Sequence, residues 1–150
     1  MQDLFELDYL LPLWITLVVA VIVFYVLFAV AEWKILKKAG EKGWKSLIPV
    51  YNVFVSHHIV GMSHIWFILE VASWIIELAL ELIPAIPEPV GLVFGIATGA
   101  FTLISEAVHM VKMCCCFGKG TGFKIGAVLI PDLFLMIIAF GKAQYTKPQH

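Results

Sequence analysis

No arginine occurs anywhere in this chain of 150 residues; its ten basic residues are all lysines, and the formal net charge is -1. That balance leaves no basic surface for nucleic acid, so no nucleic-acid partner is expected. Charge of either sign is scarce at 14%, against about a quarter in ordinary soluble domains. Cysteine is limited to three consecutive residues, Cys114, Cys115 and Cys116. Adjacent cysteines do not make the disulfide framework of a secreted domain, and a reduced, cytoplasm-facing position suits them better. Also missing are the HExxH, GxSxG and GxxxxGK[ST] patterns, which takes away the signatures of zinc proteases, serine hydrolases and P-loop nucleotide binding.

What the chain has instead is apolar length. Hydrophobic residues make up 61% and the mean hydropathy is +0.95, more than a soluble core of this size can hide. An all-α integral membrane protein follows, with the bilayer as its solvent. The acidic start "MQDLFELD" and the long apolar run behind it differ from a signal peptide, so the first run is expected to be a retained span. Four segments are long enough to cross about 30 Å of hydrocarbon: roughly 9–31, 64–83, 90–113 and 122–140. They predict a single transmembrane domain over 1–150, a four-helix bundle with one further interfacial or re-entrant element at 43–61. "PAIPEP" at 84–89 reads as a rigid turn between the second and third spans.

Lysine positions orient such a bundle, because positive loops stay in the cytoplasm. Five lysines lie between Glu32 and Lys45, and Lys112, Lys119 and Lys124 surround the link between spans three and four. The expected location is the cell membrane, with both termini outside and eight lysines in the cytoplasm. Trp33, Trp44 and Trp66 then fall at the inner interface, and Tyr9 and Tyr145 at the outer. The stretch 43–61 holds Asn52, Ser56, His57 and His58, too polar for lipid contact along a whole span. "GEKGWKSLIP" at 40–49 also echoes "GKGTGFKIGAVLIP" at 118–131: glycines, an aromatic-lysine pair, then Leu-Ile-Pro. Parallel repeats of this kind occur in transporters.

Ionisable residues inside the spans are the candidates for function. An acid at mid-helix costs about 2.5–3.5 kcal/mol on an insertion scale, so span two must turn Glu70, Glu77 and Glu81 toward protein or water. In span three Thr98, Thr102, Ser105, His109 and Lys112 form one seam, with Glu106 at its edge. Placing span midpoints at the membrane centre puts Glu70 and Glu106 at one level, with Glu77 and Asp132 nearer the middle. Pro131 is expected to kink span four, with Asp132 bonding to the carbonyl of Val128. Glu70, Glu77, Glu106, His109, Asp132, Thr98 and Thr102 are therefore the expected ion or proton pathway. Metal ligands are a weaker possibility among His57, His58, His64, Cys114, Cys115 and Cys116, whose spacing matches no established site. No cofactor is expected.

"KKAGEKGWKSLIPVYN", "IVGMSHIW" and "FGKGTGFKIGAVLIPDLFLMIIAFGKAQY" together resemble an uncharacterised bacterial family of small multi-pass membrane proteins, whose members are often labelled signal peptidase I. The resemblance covers roughly 34–145 and implies a location and a topology class. It implies a shared structural role for Gly40, Gly43, Trp44, Pro49, Tyr51, Asn52, Gly118, Lys119, Pro131 and Gly141. Asp132 and the cysteines depart from the family pattern. A peptidase is not expected, because the Ser-x-Met-Pro setting of a serine activated by lysine is missing. The function expected is proton or cation transport by an oligomeric, channel-like protein. The alternatives are a scaffold that binds a membrane partner and, third, a metal-dependent enzyme.

Overall fold

The computed structural model describes the backbone of residues 2–83 and 87–148 and the side chains of 11–83 and 87–148. Tyr9 and the first half of the PAIPEP turn lie outside the described side chains. The described residues hold six α-helices and no strand: α1 (Gln2–Lys38), α2 (Pro49–Ile59), α3 (His64–Leu82), α4 (Glu88–Cys116), α5 (Thr121–Leu129) and α6 (Pro131–Phe140). A 3₁₀ segment, Gly43–Leu47, precedes α2. Two helices are long and apolar enough to cross a membrane, α1 over Leu11–Lys38 and α4 over Glu88–Cys116. The 19 residues of α3 reach about 28 Å at 1.5 Å each, but they include three glutamates.

The echo at 40–49 and 118–131 is one backbone device used twice. Gly40 and Gly118 adopt φ of 84° and 62°, where glycine alone escapes a Cβ penalty. Each ends a long helix with the same pair of bonds. Glu41 N–H donates to Leu36 O (2.8 Å) and Gly40 N–H to Lys37 O (3.1 Å). Lys119 N–H likewise donates to Cys114 O (2.9 Å) and Gly118 N–H to Cys115 O (3.1 Å), a Schellman closure in both places. A short helix follows each, and then Leu-Ile-Pro. The residue before proline cannot stay helical, so Ile48 (φ -102°, ψ 105°) and Ile130 (φ -138°, ψ 72°) break the chain, while Pro49 and Pro131 open the next helix at its first turn.

In both places the chain turns back. Lys38 Nζ donates to the carbonyls of Ile138 and Gly141, each at 2.7 Å, and lies 6.0 Å from the Phe117 ring centre. One ammonium therefore touches both ends of the segment 117–141. Within it the Phe123 and Phe134 rings meet edge to face at 4.7 Å, and Gly126 lies so close to the Phe134 ring that a Cβ would not fit. A continuous helix would hold Phe123 and Phe134 about 16 Å apart. The single helix expected over 122–140 is thus corrected: α5 and α6 are two helices folded back on each other at Ile130. Among the described residues the expected four-helix bundle becomes three long helices and two hairpins, and the C-terminal segment lies at the lysine-rich end rather than opposite it. Pro131 does more than kink, and among the described residues Asp132 makes no bond to Val128.

The first hairpin, 42–59, behaves alike. Ala39 and Glu41, just before it, and His58 and Ile59, at its end, line one cavity. Between them Ser46 Oγ donates to Ala29 O (3.3 Å), about 13 Å up α1 from Lys38. Gly43 sits directly on the Trp33 indole.

The core lies entirely around these hairpins. Ile35, Leu36, Val60, Met110, Met113 and Ile138 are among its fully buried side chains, whereas every residue of α1 from Leu11 to Leu27 is exposed. The C-terminal segment closes the base: Thr146 N–H donates to Cys116 O (2.7 Å) and Tyr145 Oη to Ile59 O (2.6 Å). Lys34 lies over Phe140 and Lys119 over Phe123, at 4.0 and 4.8 Å. Lys142 and Lys147 join the other eight lysines at this end.

Candidate functional site

Hairpin one delivers α2 against α3 and α4, and the three helices enclose a cavity of about 170 Å³ lined by Val53, Ser56, His57, Glu70, Thr102, Glu106 and His109. Its helical phases explain the lining. Val53 and His57 are one turn apart on α2, as are Thr102 and Glu106 on α4, with His109 a further turn along. The site lies about 10 Å inside the lysine-rich end, counting from His64 to Glu70 and from Cys116 to His109.

Glu70 is its best-held acid. The residue is 8% exposed, and its Oε1 accepts from Ser105 Oγ at 2.6 Å; Ser105 is wholly buried. Its Oε2 faces His57 Nε2 at 3.6 Å, beyond hydrogen-bond length. His57 is itself fixed, because Nδ1 bonds to Val53 O at 2.8 Å, while Nε2 is buried and has no partner. Across the cavity Ser56 Oγ and His109 Nε2 are 2.9 Å apart, and the His57 and His109 ring centres are 5.3 Å apart. Ser56 and His109 have the separation of a nucleophile and its base. Among the described residues, however, no acid bonds to the other nitrogen of His109, and no serine bonds to a lysine.

Four of the seven residues expected to form a pathway, Glu70, Thr102, Glu106 and His109, thus line one cavity. Thr98 is buried a turn above and bonds back to Phe94 O and Gly95 O (3.0 and 3.2 Å), and Thr102 Oγ1 donates to Thr98 O (3.0 Å); these hydroxyls serve their own helix. Glu77 is half-buried two turns up α3 and does not line the cavity. Asp132 does not line it either. It sits at the tip of hairpin two, on an open groove of about 590 Å³ formed with Ala20, Val21, Phe24, Tyr25 and Phe28 of α1. The carboxylate layer expected from Asp132 beside Glu77 is therefore not built.

The histidines part company as helical phase requires. His57 points into the site, whereas His58 and His64 are exposed with rings nearly parallel at 6.3 Å. Cys114 and Cys116 are buried and Cys115 is exposed. Among the described residues, no three His, Cys, Asp or Glu side chains are grouped to hold a metal ion. The signal for His57 lay in its four-residue spacing from Val53, not in its neighbour. Glu32 went unnoticed as well: placed by its charge in a loop, it is 4% exposed on α1, with Oε2 unpartnered.

Outside the helices, Lys45 donates to Glu41 Oε2 at 2.6 Å and holds that carboxyl below the ordinary range. Burial, with Cys116 and Glu41 nearby, pushes the Tyr145 phenol up.

A family model described as a family of unknown function (DUF5684) matches residues 44–148. The chain belongs to this family. The matched region of this DUF5684 member starts at Trp44 and takes in both Leu-Ile-Pro breaks, the whole site and the C-terminal segment. Comparison with curated proteins and with solved structures finds no match.

Proposed function

We propose that this protein is a multi-pass membrane protein that carries protons or small cations through the polar site between α2, α3 and α4. The observation that carries this reading is Glu70, a buried carboxylate held by Ser105 and faced by His57 in a chain that is 61% hydrophobic. Ionisable groups at membrane depth are expensive, and they mark ion and proton routes. In this reading α1, α3 and α4 cross the bilayer and both hairpins re-enter from the lysine-rich side. All ten lysines then face the cytoplasm, as the charge rule favours, with the N-terminus outside and the C-terminus inside. Broken helices whose loose backbone is shielded by protein, repeated in parallel, are the devices by which transporters place such sites.

The test is flux through purified protein in sealed vesicles, followed with proton-, sodium- and potassium-sensitive dyes. Wild type should exceed empty vesicles, and Glu70→Gln should fall to their level. Equal rates for wild type and for a Glu70→Gln/Glu106→Gln variant would contradict the reading.

A second reading, a scaffold for a protein partner, rests on hairpin one. The Trp44, Tyr51 and Phe54 rings stack in sequence at 6.3 and 6.2 Å, and the first two are exposed. A partner that co-purifies with wild type and is lost in Trp44→Ala/Tyr51→Ala would favour it.

A further inference from the structure

We propose that the cargo is the proton, and that the gap between His57 Nε2 and Glu70 Oε2 is where it is held. This rests on the transport reading and narrows it to one species and one pair of atoms.

The tautomer follows from the partner of His57. Val53 O can only accept, so Nδ1 carries the hydrogen of that 2.8 Å bond. Nε2 of the neutral ring is therefore a bare lone pair. The other wall of the gap is also an acceptor, because Glu70 Oε1 already takes the Ser105 hydrogen and Oε2 carries none while the carboxylate is charged. Two acceptors then face each other at 3.6 Å, and Nε2 is buried with no partner elsewhere. Burial without a partner is costly for Nε2. One proton removes the conflict: on Oε2 it donates to Nε2, and on Nε2 it donates to Oε2. Moving between them, it breaks one O–H bond and forms one N–H bond, turning a neutral acid and ring into a carboxylate and an imidazolium. Nothing else changes, and the gap must close by less than 1 Å to reach hydrogen-bond length.

A metal cation would need more. Hard cations take about six or more oxygens, whereas the gap itself is walled by one carboxylate oxygen and one imidazole nitrogen. The other ionisable groups in the lining come from α4, and Asp132 of α6 acts in turn on Glu106. Glu106 favours the loaded state and a protonated His109 opposes it, while Lys112 is held at the base by Gly61 O (3.1 Å). Neither α1 nor α6 contributes to the lining.

The experiment loads wild type and His57→Gln into vesicles and applies a membrane potential with either no pH gradient or an imposed one. Proton uptake by wild type, with sodium and potassium at the empty-vesicle rate, and its loss in His57→Gln are expected. Sodium or potassium flux without proton flux would overturn this inference and leave the transport reading standing. No flux of any ion in wild type would overturn both. A folding defect in the variant is bypassed by infrared titration of wild type, with Glu70→Gln used to assign the protonated-carboxyl band. A Glu70 band that titrates and shifts on deuteration supports the shared proton, and a Glu70 carboxylate unchanged across pH 5–9 (roughly the range over which a histidine switches) overturns it.

Discussion

Replacing Lys38 with methionine tests the return of hairpin two through one side chain. Its ammonium donates to Ile138 O and Gly141 O, both at 2.7 Å, and so ties the end of α1 to the end of α6. A hydrogen bond to a charged group contributes about 1.5–3 kcal/mol when sheltered. The Ile138 bond is part-buried and is given the lower part of that range, while the Gly141 bond is exposed and adds little. Methionine keeps the aliphatic stem and removes only the donor, so the loss should be about 2 kcal/mol, or roughly 4–8 °C in thermal midpoint for a chain of this size. The control is Lys37→Met, whose charge lies on an exposed helix end with only a distant ring contact (5.7 Å), and which should change stability by less than about 0.5 kcal/mol. Thermal unfolding in detergent, followed by near-UV dichroism, reads both. Equal midpoints for Lys38→Met and wild type, or an equally large drop for Lys37→Met, would refute the reasoning.

Gly126→Ala puts a methyl into the Phe134 ring and should cost about 1–3 kcal/mol, whereas Gly99→Ala, with open space around it in α4, should be neutral or stabilise by up to about 1 kcal/mol; chemical denaturation separates them. Of the three cysteines Cys115 alone should react quickly with a maleimide, because Cys114 and Cys116 are buried; one equivalent by intact mass is expected, and three at a single rate would be wrong. The Tyr145 phenol donates to Ile59 O only while protonated, and its folded pKa lies above the ordinary value of about 10. Its contribution to stability is therefore present below pH ~10 and lost as pH rises through the raised value. Ultraviolet titration of wild type against Tyr145→Phe should show one phenol ionising late.

Helical class and the polar stripes were legible because they are one-dimensional: apolar length, and acids or hydroxyls at helical spacing. Glu70, Thr102, Glu106 and His109 came from that pattern and do share a cavity. Hairpin two was not legible, since hydropathy cannot tell nineteen residues that cross once from nine in and ten out. The reversal depends on Phe123 against Phe134, on the missing Cβ of Gly126 and on Lys38, which is 100 residues in sequence from its partner Ile138. The echo at 40–49 and 118–131 carried the clue, but its meaning lay in Gly40 and Gly118 closing two helices alike. His57 was grouped with His58 and His64 as a weak metal candidate, while the fold sets it facing Glu70 across two helices. Asp132 was read as part of a layer because a single crossing by span four would have placed it there.

Both hairpins opening to one face is the arrangement on which the site depends, and single-cysteine labelling tests it. In a background with Cys114, Cys115 and Cys116 replaced by alanine, cysteines are placed one at a time at Lys42, Thr146 and Glu88, all exposed. A membrane-impermeant maleimide applied to oriented vesicles should label Lys42→Cys and Thr146→Cys from the same side, and Glu88→Cys from the other. Thr146→Cys labelling together with Glu88→Cys would restore a fourth crossing and contradict the paired hairpins.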